Sequence, residues 1–523
     1  MVRPWFLVAA LGACGAPPAP PPTPIEPPAD LLLVNAHVFG SRDPVAIRAG
    51  RFVAAASGRE TRDMHGAWLY PGLRDAHVHL VGYGEGLLGR VCDLTSSTSE
   101  ADALEKVRAF VASRAFGPDD WVTCQGWNEA RWTEKRLPTS TGPLDAVVGG
   151  RPAVIARQDG HTAWVSRRAL TLGGISRDTA IRGGEVMKDA SGEPSGVLTD
   201  NALGLVRRHE PPRAEADIEA AILRALDECA RFGLVEVHDA LVHPRVDAIF
   251  RRLAREGRLR MRVSAMIWLP TVAQLGAWME ANTPLTSPIH ERYVARTVKV
   301  FADGALGGES AHLLAPYTHR PVWRGVSRTS REEMATLARI ALRRGWQVAT
   351  HAIGDAAVRD VLDGYEDAGV SPSARFRIEH ASMVTDEDLS RFAKMGILAS
   401  MQTGIPREPQ TKLLGKERSR TLWDVTRVAH AGIHVALGTD VPPGITAEPL
   451  HGIRSTIARG SKPEAAVAFA SEGATFAAFA ETERGGIHAG LAADLTVYDQ
   501  DPLATKDARV IGTFVDGVWR DPK

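Results

Sequence analysis

Asp75, His77 and His79 alternate with Ala76, Val78 and Leu80. On an extended strand that alternation puts the carboxylate and both imidazoles on one face and the apolar side chains on the other. Two imidazoles two residues apart on one strand face can bind a single cation. One such pair is weak evidence, but four further candidates follow apolar runs. Lys299 lies in Val-Lys-Val-Phe-Ala-Asp-Gly, His351 closes Val-Ala-Thr-His, His380 closes Arg-Ile-Glu-His, and Asp440 closes Leu-Gly-Thr-Asp. Neutral imidazole and carboxylate suit zinc and its neighbours in the first transition row, manganese and iron included. The chemistry is that of a divalent-metal centre.

The elements that must gather these residues are legible in the same way. Five times, an amphipathic helical stretch ends in Gly and an apolar run follows: at Gly233, Gly257, Gly345, Gly396 and Gly432. Glycine relieves the left-handed cap of a helix, and helices alternating with strands indicate parallel βα units. The strands are expected at Leu73–Leu80, Leu234–His238, Met261–Trp268, Arg296–Ala302, Trp346–His351, Arg375–His380, Ile397–Gln402 and Ile433–Asp440. Eight is the number a (β/α)8 TIM barrel needs, and all its strands open their carboxyl ends on one face. Residues 79, 299, 351, 380 and 440 could then meet at one rim. A doubly wound sheet would more naturally carry a Gly-rich phosphate loop, and no G-x-G-x-x-G opening a helix is present.

Outside the barrel (71–483), an insertion of about 90–210 separates its first two strands and is expected over the mouth. Segments 30–70 and 484–523 both look β-rich, and two distant β segments could form one small β-sandwich. At the front, 1–13 reads as an export signal, with Arg3, an apolar Trp5–Leu11 and Leu-Gly-Ala before Cys14. That tetrapeptide resembles a bacterial lipoprotein box. It implies lipid on the Cys14 thiol, followed by a Pro-rich linker over 14–29. The expected location is an exported membrane lipoprotein, at the outer membrane and facing periplasm or surface in a two-membrane host. Basic and acidic side chains number 62 each, with 44% hydrophobic residues and a pI near 7.3. That balance argues against a nucleic-acid partner and against long disorder. Four cysteines are too few for a disulfide scaffold, and homo-oligomerisation stays open.

The sequence resembles the amidohydrolase superfamily, and within it the YtcJ-like group (amidohydrolase family 3). The stretches that carry the likeness are Tyr-Pro-Gly-Leu-Arg-Asp-Ala-His77-Val-His79, Gln158-Asp-Gly-His161-Thr-Ala-Trp164, Val298-Lys299-Val-Phe-Ala-Asp303-Gly and Thr350-His351-Ala-Ile-Gly-Asp355-Ala. Arg377-Ile-Glu-His380-Ala, Ala399-Ser-Met-Gln402, Gly438-Thr-Asp440 and Gly490-Leu-Ala-Ala-Asp494-Leu complete them. The resemblance implies His77, His79 and Asp440 at one metal, His351 and His380 at a second, and a carboxylated Lys299 bridging two zinc ions. It implies attack of a metal-held hydroxide on a carbonyl carbon, with Asp440 moving the proton. The expected reaction is hydrolysis of a C–N bond in an amide, N-acyl or N-formyl compound. A mononuclear deaminase or a lactone hydrolase on the same fold is the enzymatic alternative, and a ligand-binding surface lipoprotein the non-enzymatic one.

Further candidates for substrate contact are His161, Trp164, Trp127, His238, Asp303 and Gln402. A strand-end histidine such as His238 serves equally well as a hydrogen-bonded neighbour of the ligands, and indoles in an insertion equally well as packing. One departure from the family pattern stands at Gly308-Glu309-Ser310, where relatives commonly continue with a Ser-Arg-Thr-like run. Glu309 is expected to alter the charge beside the site.

Overall fold

The computed structural model describes residues 28–41, 44–54, 57–405, 407–442 and 446–522. The expected export signal, Cys14 and all but the end of the Pro-rich linker lie outside the described residues.

Eight parallel strands form the centre: β1 (Leu73–Val78), β2 (Leu234–Val242), β3 (Arg262–Ile267), β4 (Tyr293–Phe301), β5 (Gln347–Ala352), β6 (Arg377–His380), β7 (Leu398–Met401) and β8 (Val435–Leu437). They are hydrogen-bonded in chain order. This is the (β/α)8 barrel that the helix–Gly–strand repeats imply. Every residue of β1, β5, β6, β7 and β8 is buried, as strands covered by helices must be. The helix Glu215–Arg231 shows the packing logic. It buries Ile218, Ala221, Ile222, Ala225, Leu226 and Cys229, one stripe at helical spacing, against the barrel. The helix Arg331–Arg344 starts on a capping box, with Ser330 and Glu333 each satisfying the other's backbone N–H, and ends on Gly345 in the left-handed conformation.

The seam between β8 and β1 is closed at its carboxyl end. The Asp440 N–H donates to the His77 carbonyl at 2.7 Å and the His79 N–H to the Val441 carbonyl at 2.9 Å. Gly438 permits this approach, since a Cβ there would lie 2.7 Å from the Cβ of His77. For the same reason β8 is shorter than the expected Ile433–Asp440. Its last residues leave the ladder to cross toward β1, and Asp440 takes a positive φ of 58°.

Two further bodies flank the barrel. The insertion holds a six-stranded sheet whose outer edge is Cys92–Asp93, followed inward by Val122–Trp127, Ala153–Arg157 and Thr162–Val165. It has a core of its own, including Trp127, Trp132, Leu144 and Trp164. The chain ends form two sheets. Ala29–Val34, Val45–Arg48, Arg51–Val53 and Gly58–Asp63 make one, and His37–Val38, Trp68–Pro71, Leu495–Tyr498, Val510–Val515 and Val518–Arg520 make the other. Leu33, Ile47, Phe52, Leu69, Leu495, Val497 and Phe514 from both sheets share one core, the β-sandwich built from distant segments.

Candidate metal centre

The barrel brings the separated candidates to one rim. His77 lies in β1, His79 one residue past it, His351 in β5, His380 at the end of β6, and Asp440 just beyond β8. His77, His79 and Asp440 offer ligand atoms that all lie within 4.8 Å of one another. Asp440 Oδ1 is 3.0 Å from His79 Nε2 and 3.5 Å from His77 Nε2. The His380 ring centroid is 4.9 Å from that of His77 and 4.4 Å from that of His351. Lys299, on β4, is buried in the barrel, its ammonium 5.0 Å from the Phe301 ring.

The orientation of these rings is fixed from behind. His77 Nδ1 lies 2.6 Å from the Glu379 carboxylate, His351 Nε2 lies 3.0 Å from the Gly304 carbonyl, and His380 Nδ1 lies 2.7 Å from Gln402 Oε1. Each partner is an acceptor, so each of those nitrogens carries the proton. The other nitrogen keeps its lone pair. Among the described residues, His77 Nε2 and His79 Nδ1 are buried without a hydrogen-bond partner. Burial depresses His77 to about 3 and His380 to about 4, and with the neighbouring His380, His161 and Lys299 it holds His351 well below the usual imidazole range. Burial raises Asp440, but His77, His79 and His380 outweigh it and hold the carboxyl below its ordinary range. Neutral imidazoles with one lone pair each, facing an ionised carboxylate, fit a divalent cation. Desolvation, opposed by Glu379 and Asp440, lowers Lys299 to about 8.

Strain marks the same rim. His380, Ala381 and Asp440 have φ of 72°, 40° and 58°, a conformation that non-glycine residues adopt at a cost and that clusters at functional sites.

A cavity of about 300 Å³ opens over the rim. Its floor includes His351, His380, Gln402 and Asp440. One wall is Asn128, Ala130, Arg157, Gln158 and His161 from the insertion, and another includes Leu306, Ile353 and Trp423. The insertion therefore does stand over the barrel mouth.

The remaining sequence candidates divide. His161 and Gln402 line the cavity. Trp127 and Trp164 do not. Trp127 stacks on Trp132 at 5.2 Å and donates to the Ile155 carbonyl, and Trp164 donates to the Ser140 carbonyl, so both indoles are spent on the insertion's core. His238 lies under the site, its Nδ1 accepting from Arg377 at 3.1 Å. Asp303 accepts the backbone N–H groups of His312, Ile353 and Gly354, and so holds the loop after β5 rather than facing the cavity. Glu309 pairs with His319 at 2.9 Å and with Arg320 at 3.5 Å and does not line the cavity, so the altered charge lies beside the site and is met by partners there.

Glu379 and Asp200 escaped the sequence reading. Glu379 is buried between His77 and Arg377, and Arg377 reaches it at 2.6 Å. The signal was present: Arg377 and Glu379 alternate with Ile378 along a fully buried strand, which requires two charges on one face to pair. Asp200 binds His161 from 39 residues away, a contact no local pattern announces.

Comparison with known proteins agrees with this architecture. The profile of the amidohydrolase family matches residues 60–521. YtcJ of Bacillus subtilis (strain 168), which carries an amidohydrolase name, is 31% identical over 475 residues, covering 86% of this chain and 87% of its own. The N-substituted formamide deformylase of Arthrobacter pascens is 27% identical over 538 residues, covering 94% and 98%. The crystal structure of an uncharacterized metal-dependent hydrolase from Pyrococcus horikoshii OT3 superposes with a TM-score of 0.71 at 24% identity, over 91% of this chain and 98% of that one, a likeness of fold. With its barrel, its His/His/Asp cluster and a match over most of its length, the chain belongs to the amidohydrolase family and is an enzyme acting on carbon–nitrogen bonds.

Proposed function

We propose that the enzyme hydrolyses the C–N bond of an amide, N-acyl or N-formyl compound at a two-metal centre. His77, His79 and Asp440 would hold one divalent ion, His351 and His380 a second, with a carboxylated Lys299 between them. The observation that carries this reading is the set of imidazoles tied from behind by Glu379, Gln402 and the Gly304 carbonyl. Their lone pairs gather beside the Asp440 carboxylate, an arrangement that repels itself unless a cation is shared. Lys299 supports the second half. Burial, lowering it to about 8, raises the share of neutral amine available to take up CO₂, and the resulting anion has two ligand oxygens. The divalent ions would lower the pKa of water and polarise the substrate carbonyl. The chain itself moves the proton. Asp440, ionised and at the rim, accepts it from the attacking water and returns it to the leaving nitrogen. The cavity over the rim, walled by the insertion on one side, would orient the substrate. The N-substituted formamide deformylase relative favours formyl and small acyl groups as the part nearest the rim.

The test is metal analysis together with a hydrolysis screen of N-acyl, N-formyl, cyclic-imide and lactone compounds. We expect two metals per chain, turnover of an amide or formamide, and loss of one metal and most activity in Lys299→Ala. Near-full activity with two metals in that variant would remove the bridge, and an amide-inert, metal-loaded protein would end the reading.

A second reading, a one-metal deaminase or lactone hydrolase, is favoured by one observation: the tightest ligand group is His77, His79 and Asp440 alone. One metal per fully active chain would establish it. We also propose that the chain is exported and lipid-anchored at Cys14. Cys14→Ser should then move it from the membrane fraction to the soluble one, and a soluble protein with Cys14 intact would contradict the anchor.

A further inference from the structure

His161 stands in the insertion wall, directly above the rim, its ring centroid 4.7 Å from that of His351. What holds it is unusual. His161 Nδ1 is 2.7 Å from Asp200 Oδ1, and the Asp200 N–H donates at 2.8 Å to the His161 carbonyl, so one residue fixes both the ring and the backbone of the other. Asp200 has a φ of 47°. Its Oδ1 also accepts from Arg328 at 3.3 Å, and its Oδ2 is buried without a partner among the described residues. Arg328 in turn lies 4.6 Å over the Phe301 ring. Gly304 completes the arrangement. A Cβ there would fall 2.3 Å from Asp200 Oδ2, and the Gly304 carbonyl is the acceptor of His351 Nε2. The loop after β4 therefore sets His351 below and Asp200 above with one residue.

A carboxylate oxygen can only accept here, so His161 Nδ1 is the donor. With Nδ1 occupied as a donor, an unprotonated ring carries its lone pair on Nε2, and His161 lines the cavity. Fixing a tautomer in this way decides what the ring offers a ligand. The cavity roof presents an acceptor, not a donor, above the centre where the carbonyl carbon must sit.

We propose that His161, positioned by Asp200, accepts a hydrogen bond from the substrate's amide N–H and makes the enzyme selective for N–H-bearing (secondary) amides and formamides over tertiary amides and esters. This rests on the proposed hydrolysis of a C–N bond and narrows its substrate class. An ester or lactone places oxygen lone pairs where the N–H would be, facing the lone pair of Nε2. An N-methyl amide places a methyl group there and leaves Nε2 unpaired. A site built to pair a polar hydrogen rejects analogues that lack it far better than an apolar pocket rejects an extra methylene.

The test uses the metal-loaded enzyme and three matched compounds: a secondary amide found in the hydrolysis screen, its N-methyl derivative and its ester. The wild type should favour the secondary amide over the N-methyl derivative by roughly 10³-fold or more in kcat/KM, beyond what an extra methyl group alone costs. His161→Phe keeps a ring and removes the acceptor, and should collapse the amide-to-ester ratio by roughly tenfold or more at unchanged metal content. Asp200→Asn, nearly isosteric, can present an N–H to Nδ1 and so turn Nε2 into a donor. It should shift the ratio in the same direction. A loss of general structure would lower all three substrates together and leave the ratio alone. If both variants lower amide and ester turnover by the same factor, the assignment of His161 falls while amide hydrolysis stands. If the wild type turns over the ester and no amide, both fall.

Discussion

The barrel carries two buried clusters of charge, one at each end, and they are built on opposite rules. At the amino ends of the strands Arg74 meets Glu236 at 3.0 Å and Asp494 at 2.5 Å. Arg262 meets the same Asp494 at 2.8 Å, Arg484 meets Glu236 at 2.8 Å, and Arg292 meets Asp516 at 2.7 Å. Each charge there has an opposite partner, and Asp494 comes from the segment that returns into the sandwich. This network ties the barrel to its flanking sheets, and none of its side-chain atoms is buried without a partner among the described residues. At the carboxyl ends the tally is deliberately incomplete. Glu379 and Arg377 satisfy one side of the site, but His77 Nε2 and His79 Nδ1 are buried without a hydrogen-bond partner among the described residues, and the lone pair of His77 Nε2 faces the Asp440 carboxylate at 3.5 Å. Charges that serve structure are paired within the chain, and groups that serve chemistry are held ready for something the chain does not supply.

The sharpest way to break that contrast is to alter one group in each cluster. Asp440→Asn keeps size and removes the charge and the proton acceptor. Activity should fall on the order of 10³-fold, with weaker metal retention and little change in thermal unfolding of the metal-free protein. Glu236→Gln should do the reverse. Glu236 is fully buried and is the carboxylate partner of Arg484 as well as one of two partners of Arg74, and an uncompensated buried guanidinium costs about 3–5 kcal/mol. A chemical denaturation curve should register that loss, while the folded fraction keeps its metal content. If Asp440→Asn unfolded the protein as readily as Glu236→Gln, the division between the two ends would be lost.

Glu379 lies between the two roles, being paired with Arg377 like a structural group yet bonded to His77. Glu379→Gln retains the size and one acceptor oxygen but loses the charge that fixes the His77 Nδ1–H. Metal affinity should fall by about 10–100-fold, measured by competition with a chelator, and excess metal should restore activity. Failure of excess metal to restore it would place Glu379 with the structural network.

How far the sequence disclosed each region follows from the range of the interactions. The barrel strands were legible because burial on both faces forces apolar runs, and helix-ending glycines punctuate them. His77 and His79 were legible because a strand's two-residue period aligns them. Lys299, His351, His380 and Asp440 became interpretable once every strand was placed with its carboxyl end at one rim. The pairing of Asp200 with His161 was hidden, since it joins two strand ends of the insertion sheet that no periodicity links. Trp127 and Trp164 misled for a different reason. An indole with one N–H to satisfy looks the same in sequence whether it lines a pocket or donates to a carbonyl within a core, and here both donate to backbone carbonyls. The amino-end network was missed because arginines such as Arg262 and Arg484 read as ordinary surface charge until Asp494 and Glu236 are brought against them.

The smallest effect tests the edge of the site. Glu309 departs from the family pattern in a loop that also supplies Gly304 and Leu306, so a local reading of charge would give it influence on substrate choice. Its carboxylate is instead engaged by His319 and Arg320, and Arg320 has a second partner in Glu185 at 2.9 Å. A charge neutralised on a half-buried loop, with its partner held independently, contributes little to a potential elsewhere. Glu309→Gln should therefore change kcat/KM by less than about twofold and stability by less than about 1 kcal/mol. The decisive comparison is between an anionic and a neutral substrate of similar shape. A change in their relative rates above about fivefold would mean that the field of Glu309 reaches the cavity despite its pairing. Parallel rates would confine the departure to the loop and leave recognition to the cavity wall that carries His161.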